Sequence, residues 1–256
     1  MQLKPGSHIT RNRSINGDSF PYKRLSALHT LARCILLGKN DENNKYQLFS
    51  RFFISGTLAF SNENIVETIV PACDYTILII NVPSTVKLVA NGDWSGRAKC
   101  INKELDTLIY TCSNGTGTFE ISASDNVTIK EGLVFELSNG SISSLTLIGG
   151  QDANITDLTA KGFSLAVNGS STSNLFGKVV DFNVSLNGSA YVEVIFLKSQ
   201  TGKVNINGSG LVRLNVSSAL TGEVNGSGRI EYSGIPRITD KKTNGGGSIT
   251  QASPKI

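Results

Sequence analysis

The stretch Val204-Asn205-Ile206-Asn207-Gly208-Ser209-Gly210-Leu211-Val212-Arg213-Leu214 decides the fold. Apolar side chains alternate on both sides of an Asn-Gly-Ser turn, which is the period of a β-strand with one buried face. The unit recurs. Its turns begin at Ile148, Asn168, Asn187, Asn207, Asn225 and Asn244, 18 to 20 residues apart, and each has glycine one position on: Gly149, Gly169, Gly188, Gly208, Gly226 and Gly245. Apolar pairs precede the turn (Leu145 and Leu147, Leu165 and Val167, Val184 and Leu186, Val204 and Ile206). Others follow it (Ala153 and Ile155, Val192 and Val194, Val212 and Leu214, Ile230 and Tyr232). A repeat of this length predicts stacked units, each burying its apolar face against the next.

At the turn itself, the third position after each starting residue is Gln151, Ser171, Ala190, Gly210, Gly228 or Gly247. A sharp corner whose inward face must stay thin selects such residues, and the glycines supply positive φ. Two architectures accommodate this. Asn-Gly is a strong hairpin signal, so an antiparallel meander is one. The alternate bends, near Gly177, Gly202, Ser218 and Gly234, carry no Asn-Gly. Unequal bends favour an all-β parallel β-helix or related β-solenoid with rungs of about 19 residues. In that architecture Asn154, Asn174, Glu193, Arg213 and Glu231 form one outward column at about the spacing of adjacent strands, 4.8 Å. Glu193 and Glu231 then read either as a carboxylate pair of the kind used by inverting glycosidases or as a surface ladder neutralised by Arg213. The intervening guanidinium favours the ladder.

The chain has 24 basic and 20 acidic residues, but nine of the basic ones lie in residues 1–61 against Asp18, Asp41 and Glu42. The remainder is mildly acidic, so no nucleic-acid partner is expected. Residues 45–61 run from Lys45 and Arg51 through the apolar Phe52 to Phe60 and end on Ala59 and Ser61, which is the pattern of a secretion signal cleaved after Ser61. The competing reading makes Leu48 to Leu58 the first strand of a cytoplasmic protein. Residues 20–38 carry a basic helical pattern, and no run is long enough for a spanning helix. Residues 1–61 are thus expected to be a leader. Residues 62–144 form an N-terminal β region with strands at Tyr75 to Val82, Thr85 to Ala90, Thr107 to Cys112, Gly117 to Ile121 and Asn126 to Lys130. Residues 145–250 form the repeat, and 251–256 a flexible tail.

Cys100 and Cys112 flank a segment with turn-forming residues, and a hairpin there places them opposite each other as a disulfide of an exported protein; the alternative is reduced, buried cysteines. Cys73 has no evident partner. Both histidines, His8 and His29, lie in the leader, so the body of the chain can assemble no histidine-based triad or metal site. No catalytic residue, cofactor or metal is expected. Asn-x-Ser/Thr triplets abound, as turns made of Asn, Gly and Ser require.

The runs Asp157 to Ala160, Phe163 to Gly169, Phe182 to Gly188, Val204 to Gly210 and Val224 to Gly228, then Ile230 to Pro236 and the last corner Asn244 to Ile249, together resemble the bacterial auto-transporter adhesin head GIN domain. That likeness is good over 145–250 and weak over 62–144. Asn stands where the family has Ser at most corners. The resemblance implies an exported all-β domain in the periplasm, on the outer-membrane surface or secreted. Its function would be an adhesin-like, non-catalytic interaction module for a protein or carbohydrate surface ligand. If the displaced signal is unused, the location is cytoplasmic. The alternatives are a self-assembling β-helical structural protein, a homo-oligomer, or a carbohydrate-active β-helix enzyme.

Overall fold

Two hairpin strands, β1 (Lys45–Ile54) and β2 (Thr57–Ile69), lead into β3 (Ile77–Asn81), β4 (Ser84–Val89), β5 (Ser95–Ile101), β6 (Leu108–Ser113), β7 (Thr118–Ala123) and β8 (Val134–Ser138). The repeat then runs through β9 (Ser144–Gly149), β10 (Gln151–Gly169), β11 (Thr172–Gly188), β12 (Tyr191–Gly208), β13 (Leu211–Gly226), β14 (Arg229–Ser233), β15 (Ile238–Asn244) and β16 (Ser248–Gln251). This computed structural model describes residues 45–252 except 55–56, 102, 125–128 and 130–131. The architecture is a β-solenoid of about five turns. The basic pattern at 20–38 lies outside the described residues, as does most of the strand expected at Asn126 to Lys130.

The long strands pair in parallel, one repeat against the next: Leu165 with Val184, Val184 with Val204, Asn187 with Asn207 and Asn207 with Asn225. Alternation therefore puts the same apolar positions of every rung into one core. Val167, Leu186, Ile206 and Val224 are essentially inaccessible, as are Ile155, Val194 and Leu214. The corners follow the same logic. All six corner glycines have positive φ, from 106° at Gly149 to 140° at Gly169. A Cβ at Gly169, Gly188, Gly208 or Gly226 would lie closer to the carbonyl oxygen of the preceding corner than the 3.0 Å that real Cβ atoms keep. Two positions further on, a Cβ at Gly210 or Gly228 would meet Leu186 or Ile206 at 2.7 Å, so the inward face there has no room. Only the first copies fill this site with a polar side chain. Ser171 donates to Gln151 Oε1 at 2.7 Å, and Gln151 donates to the carbonyls of Ile148 and Val82.

Parallel stacking reaches further toward the N-terminus than the Asn-Gly corners announce. β3 lies between β9 and β7, and β4 between β10 and β8, all in parallel. The chain thus lays down the β3–β4 rung, travels outward to build the β7–β8 rung, and returns past it to β9. The outward excursion supplies two antiparallel strands, β5 on β8 and β6 on β7, which close the open sheet edges at this end. β2 covers β5 through Ile65–Ile69, and β1 pairs with β2. The segment expected as a signal is accordingly hairpin, with β2 running through Ser61. At the other end β16 extends to Gln251.

The expected Cys100–Cys112 pairing is corrected: Cys112 is bonded to Cys73, across 39 residues of chain. β5 and β6 are not hairpin partners. A 3₁₀ turn, Lys103–Thr107, separates them and directs β5 to one face of the solenoid and β6 to the other. Cys100 faces the core beside Ala98.

Candidate functional site: a polar wall and an aromatic cavity

The outward column expected from the repeat is in place, because Asn154 registers with Asn174, Asn174 with Glu193, Glu193 with Arg213 and Arg213 with Glu231. Arg213 donates from Nε to Glu231 at 2.8 Å and from Nη1 to Glu193 at 3.5 Å and to the Tyr191 hydroxyl at 3.1 Å. Tyr191 donates to Glu193, and that acceptor raises the Tyr191 pKa above its ordinary value. The guanidinium stands between the carboxylates, where an inverting hydrolase needs its water. Replacing Arg213 with methionine leaves Glu193, 17% exposed, without its cation and Glu231, 21% exposed, with only Arg229 at 3.8 Å. The expected loss is about 1 kcal/mol, mostly restored when both glutamates become glutamine, as read from urea midpoints.

Beside this column the corner asparagines form a second one. Asn187 donates to Asn168, Asn207 to Asn187, Asn225 to Asn207 and Asn244 to Asn225, at 2.7 to 3.0 Å. The three inner amides, Asn187, Asn207 and Asn225, each both donate and accept, which explains Asn at a position where Gly or Ser would also turn the chain. At the opposite bends the register shifts, and Phe176 and Phe196 project outward, stacked at 5.6 Å.

Toward the N-terminal end, Lys99 and Lys87 reach Glu136 at 2.6 and 3.4 Å. Partial burial raises the Glu136 pKa, but the two ammonium groups outweigh it and hold the carboxyl below its ordinary value. A depressed carboxyl pKa stabilises the fold above the unfolded-state value, and this contribution disappears as pH falls through the folded-state value. Glu136→Gln should therefore cost about 0.5 kcal/mol at pH 7 and almost nothing at about pH 3, measured as the difference in unfolding midpoint.

The same end holds a cavity of about 700 Å³ whose lining the sequence did not single out. It opens between residues 72–75, 92–94, Cys112, Asn114, Asn139 and Ser141. Its walls are tied together. Gly140 N donates to Gly92 O at 2.9 Å, Asn139 Nδ2 donates to Tyr75 O at 3.0 Å, and the Cys73–Cys112 bond joins the remaining pair. Trp94 packs T-shaped on Tyr75 and Phe119, with centroids 5.3 and 5.8 Å apart, and stays half-buried. Trp94, the chain's single tryptophan, was the one available signal. Among the described residues no cluster of His, Cys, Asp or Glu could hold a metal ion, and no helix is long and apolar enough to cross a membrane.

A family model described as "Putative auto-transporter adhesin, head GIN domain" matches residues 61–236, well over half of the chain and including the N-terminal β region. Among solved structures, a "putative adhesin" from Bacteroides fragilis superposes with a TM-score of 0.57 at 15% identity, covering 73% of this chain and 97% of that one. A "Putative lipid binding protein" from Parabacteroides distasonis matches with a TM-score of 0.42 at 17% identity, over 74% of this chain and 97% of that one. At 15% identity the first is a likeness of fold. No curated protein matches the chain.

Proposed function

Because the chain belongs to the auto-transporter adhesin head GIN domain family, we propose that it is an exported, non-catalytic interaction module of the bacterial envelope or surface. Family membership carries this reading. Three features agree with it. The family match begins at residue 61, beside the cleavage expected after Ser61. Cleavage there would leave Ile65–Ile69 to pair with β5, so the capped end survives without the preceding hairpin strand. The Cys73–Cys112 bond is of a kind that persists in oxidising compartments. On the wall, the paired carboxylates are occupied by Arg213, which leaves a rigid polar surface suited to contact and poorly suited to hydrolysis.

The test is to express the full reading frame in a Gram-negative host and determine the first residue and compartment of the product. A chain beginning at Asn62 in the periplasm or outside the cell is the expected result. An intact Met1 in the cytoplasm would contradict it. End-to-end assembly is the second reading, favoured by the last rung: among the described residues β15 pairs with β13 alone and β16 with β14 alone, leaving their outer edges open. Concentration-dependent elongation in sedimentation velocity would select it.

A further inference from the structure

We propose that the cavity around Trp94 is a saccharide-binding site for a neutral or amino-bearing pyranose ring. This deepens the reading of the protein as a surface interaction module and rests on it. The cavity volume, about 700 Å³, lies in the range of small-molecule sites. Backbone hydrogen bonds and the disulfide fix its four walls, so little ordering remains to oppose binding.

The lining chemistry selects the ligand. Trp94 provides an apolar aromatic surface of the kind on which the C–H face of a sugar ring rests, while Asp74, Asp93 and Asn114 are exposed around it. Carboxylates accept hydrogen bonds from hydroxyl or ammonium groups, and the Asn114 amide can both donate and accept. The Tyr75 hydroxyl is buried in this wall beside the Asn139 side chain, and burial keeps the phenol protonated as a donor. Among the described residues no Lys, Arg or His lines the cavity, so a phosphate or uronate would face Asp74 and Asp93 without a counter-charge. A quaternary ammonium would need several open ring faces, yet Tyr75 and Phe119 are almost wholly buried, which leaves Trp94 alone.

Because Trp94 is the only tryptophan, its emission reports on the cavity directly. The full chain should be titrated with galactose, N-acetylglucosamine and glucosamine, and with glucuronate and tetramethylammonium in parallel. The expected result is a saturable Trp94 response to at least one of the first three and none to glucuronate. Asp93→Asn and Asp74→Asn, both at exposed positions, should each weaken that binding about tenfold with the unfolding midpoint unchanged. The proposal is overturned if none of the three sugars gives a saturable response, if glucuronate or tetramethylammonium binds instead, or if both variants bind as the parent does. A correctly exported chain that ignores all three sugars would remove the saccharide site alone, whereas a cytoplasmic chain would remove the reading beneath it.

Discussion

Replacing Gly188 with alanine should lower the stability of the protein by about 3–5 kcal/mol. Two effects combine. With φ at 129°, Gly188 occupies backbone space that L-residues rarely enter. Its added Cβ would also fall on the carbonyl oxygen of Gly169, a backbone atom that cannot swing aside. Relief requires the rungs to separate at this corner, and Gly208 stacks on Gly188 in the same way, so the displacement is passed along the column. Gly162→Ala is the control, since the nearest atom to its Cβ would be Asp181 O at 3.9 Å and no positive φ is involved. That change should stay within about 0.5 kcal/mol of the parent. Urea midpoints of the two variants decide the matter; equal values would mean that the corners do not carry the stacking.

Breaking the Cys73–Cys112 bond is the second large effect. The bond closes a loop of 39 residues, for which the chain-entropy model gives about 4 kcal/mol. Reduction, or Cys73→Ser with Cys112→Ser, should lower the unfolding midpoint accordingly. The damage should also be local. Residues 70–76 and 112–114 would lose their link at the capped end, while β11, β12 and β13 keep every parallel partner. Amide exchange should therefore quicken around 70–76 and 91–94 well before it does in the repeat. Uniform acceleration along the chain would contradict this picture of an end held shut by the bond.

These two effects differ in how far the sequence revealed them. The corners were legible because one physical demand, a thin inward face with positive φ, recurs six times and leaves glycine as the answer each time. The ion-pair column followed from the same arithmetic, since a fixed period places Glu193, Arg213 and Glu231 in register before any side chain is seen. The N-terminal rungs were not legible as rungs. The β3–β4 bend uses Val82-Pro83 and the sequence between β7 and β8 contains no Asn-Gly-Ser, and β7–β8 stacks outside β3–β4 although it follows it in the chain. β5, with Arg97 and Lys99 on its outer side, lacked an obvious apolar run and was missed. The disulfide went astray for the same reason: a pairing inferred from nearness in sequence cannot see a loop from 39 residues away lying against β6. The cavity is assembled from four separate segments, so no single stretch of sequence displays it, and Cys73 and Cys112 were read there only as cysteines.

The measurement that bears most directly on an exported, disulfide-closed interaction module is an alkylation trap in living cells. Cells expressing the full frame are quenched with a thiol-blocking reagent before lysis, and the peptides containing Cys73 and Cys112 are mapped without reduction. The expected result is a single cross-linked peptide pair, Cys73 joined to Cys112, in the extracytoplasmic fraction. Recovery of both cysteines as blocked thiols in a cytoplasmic chain, or of Cys112 joined to Cys100, would contradict it.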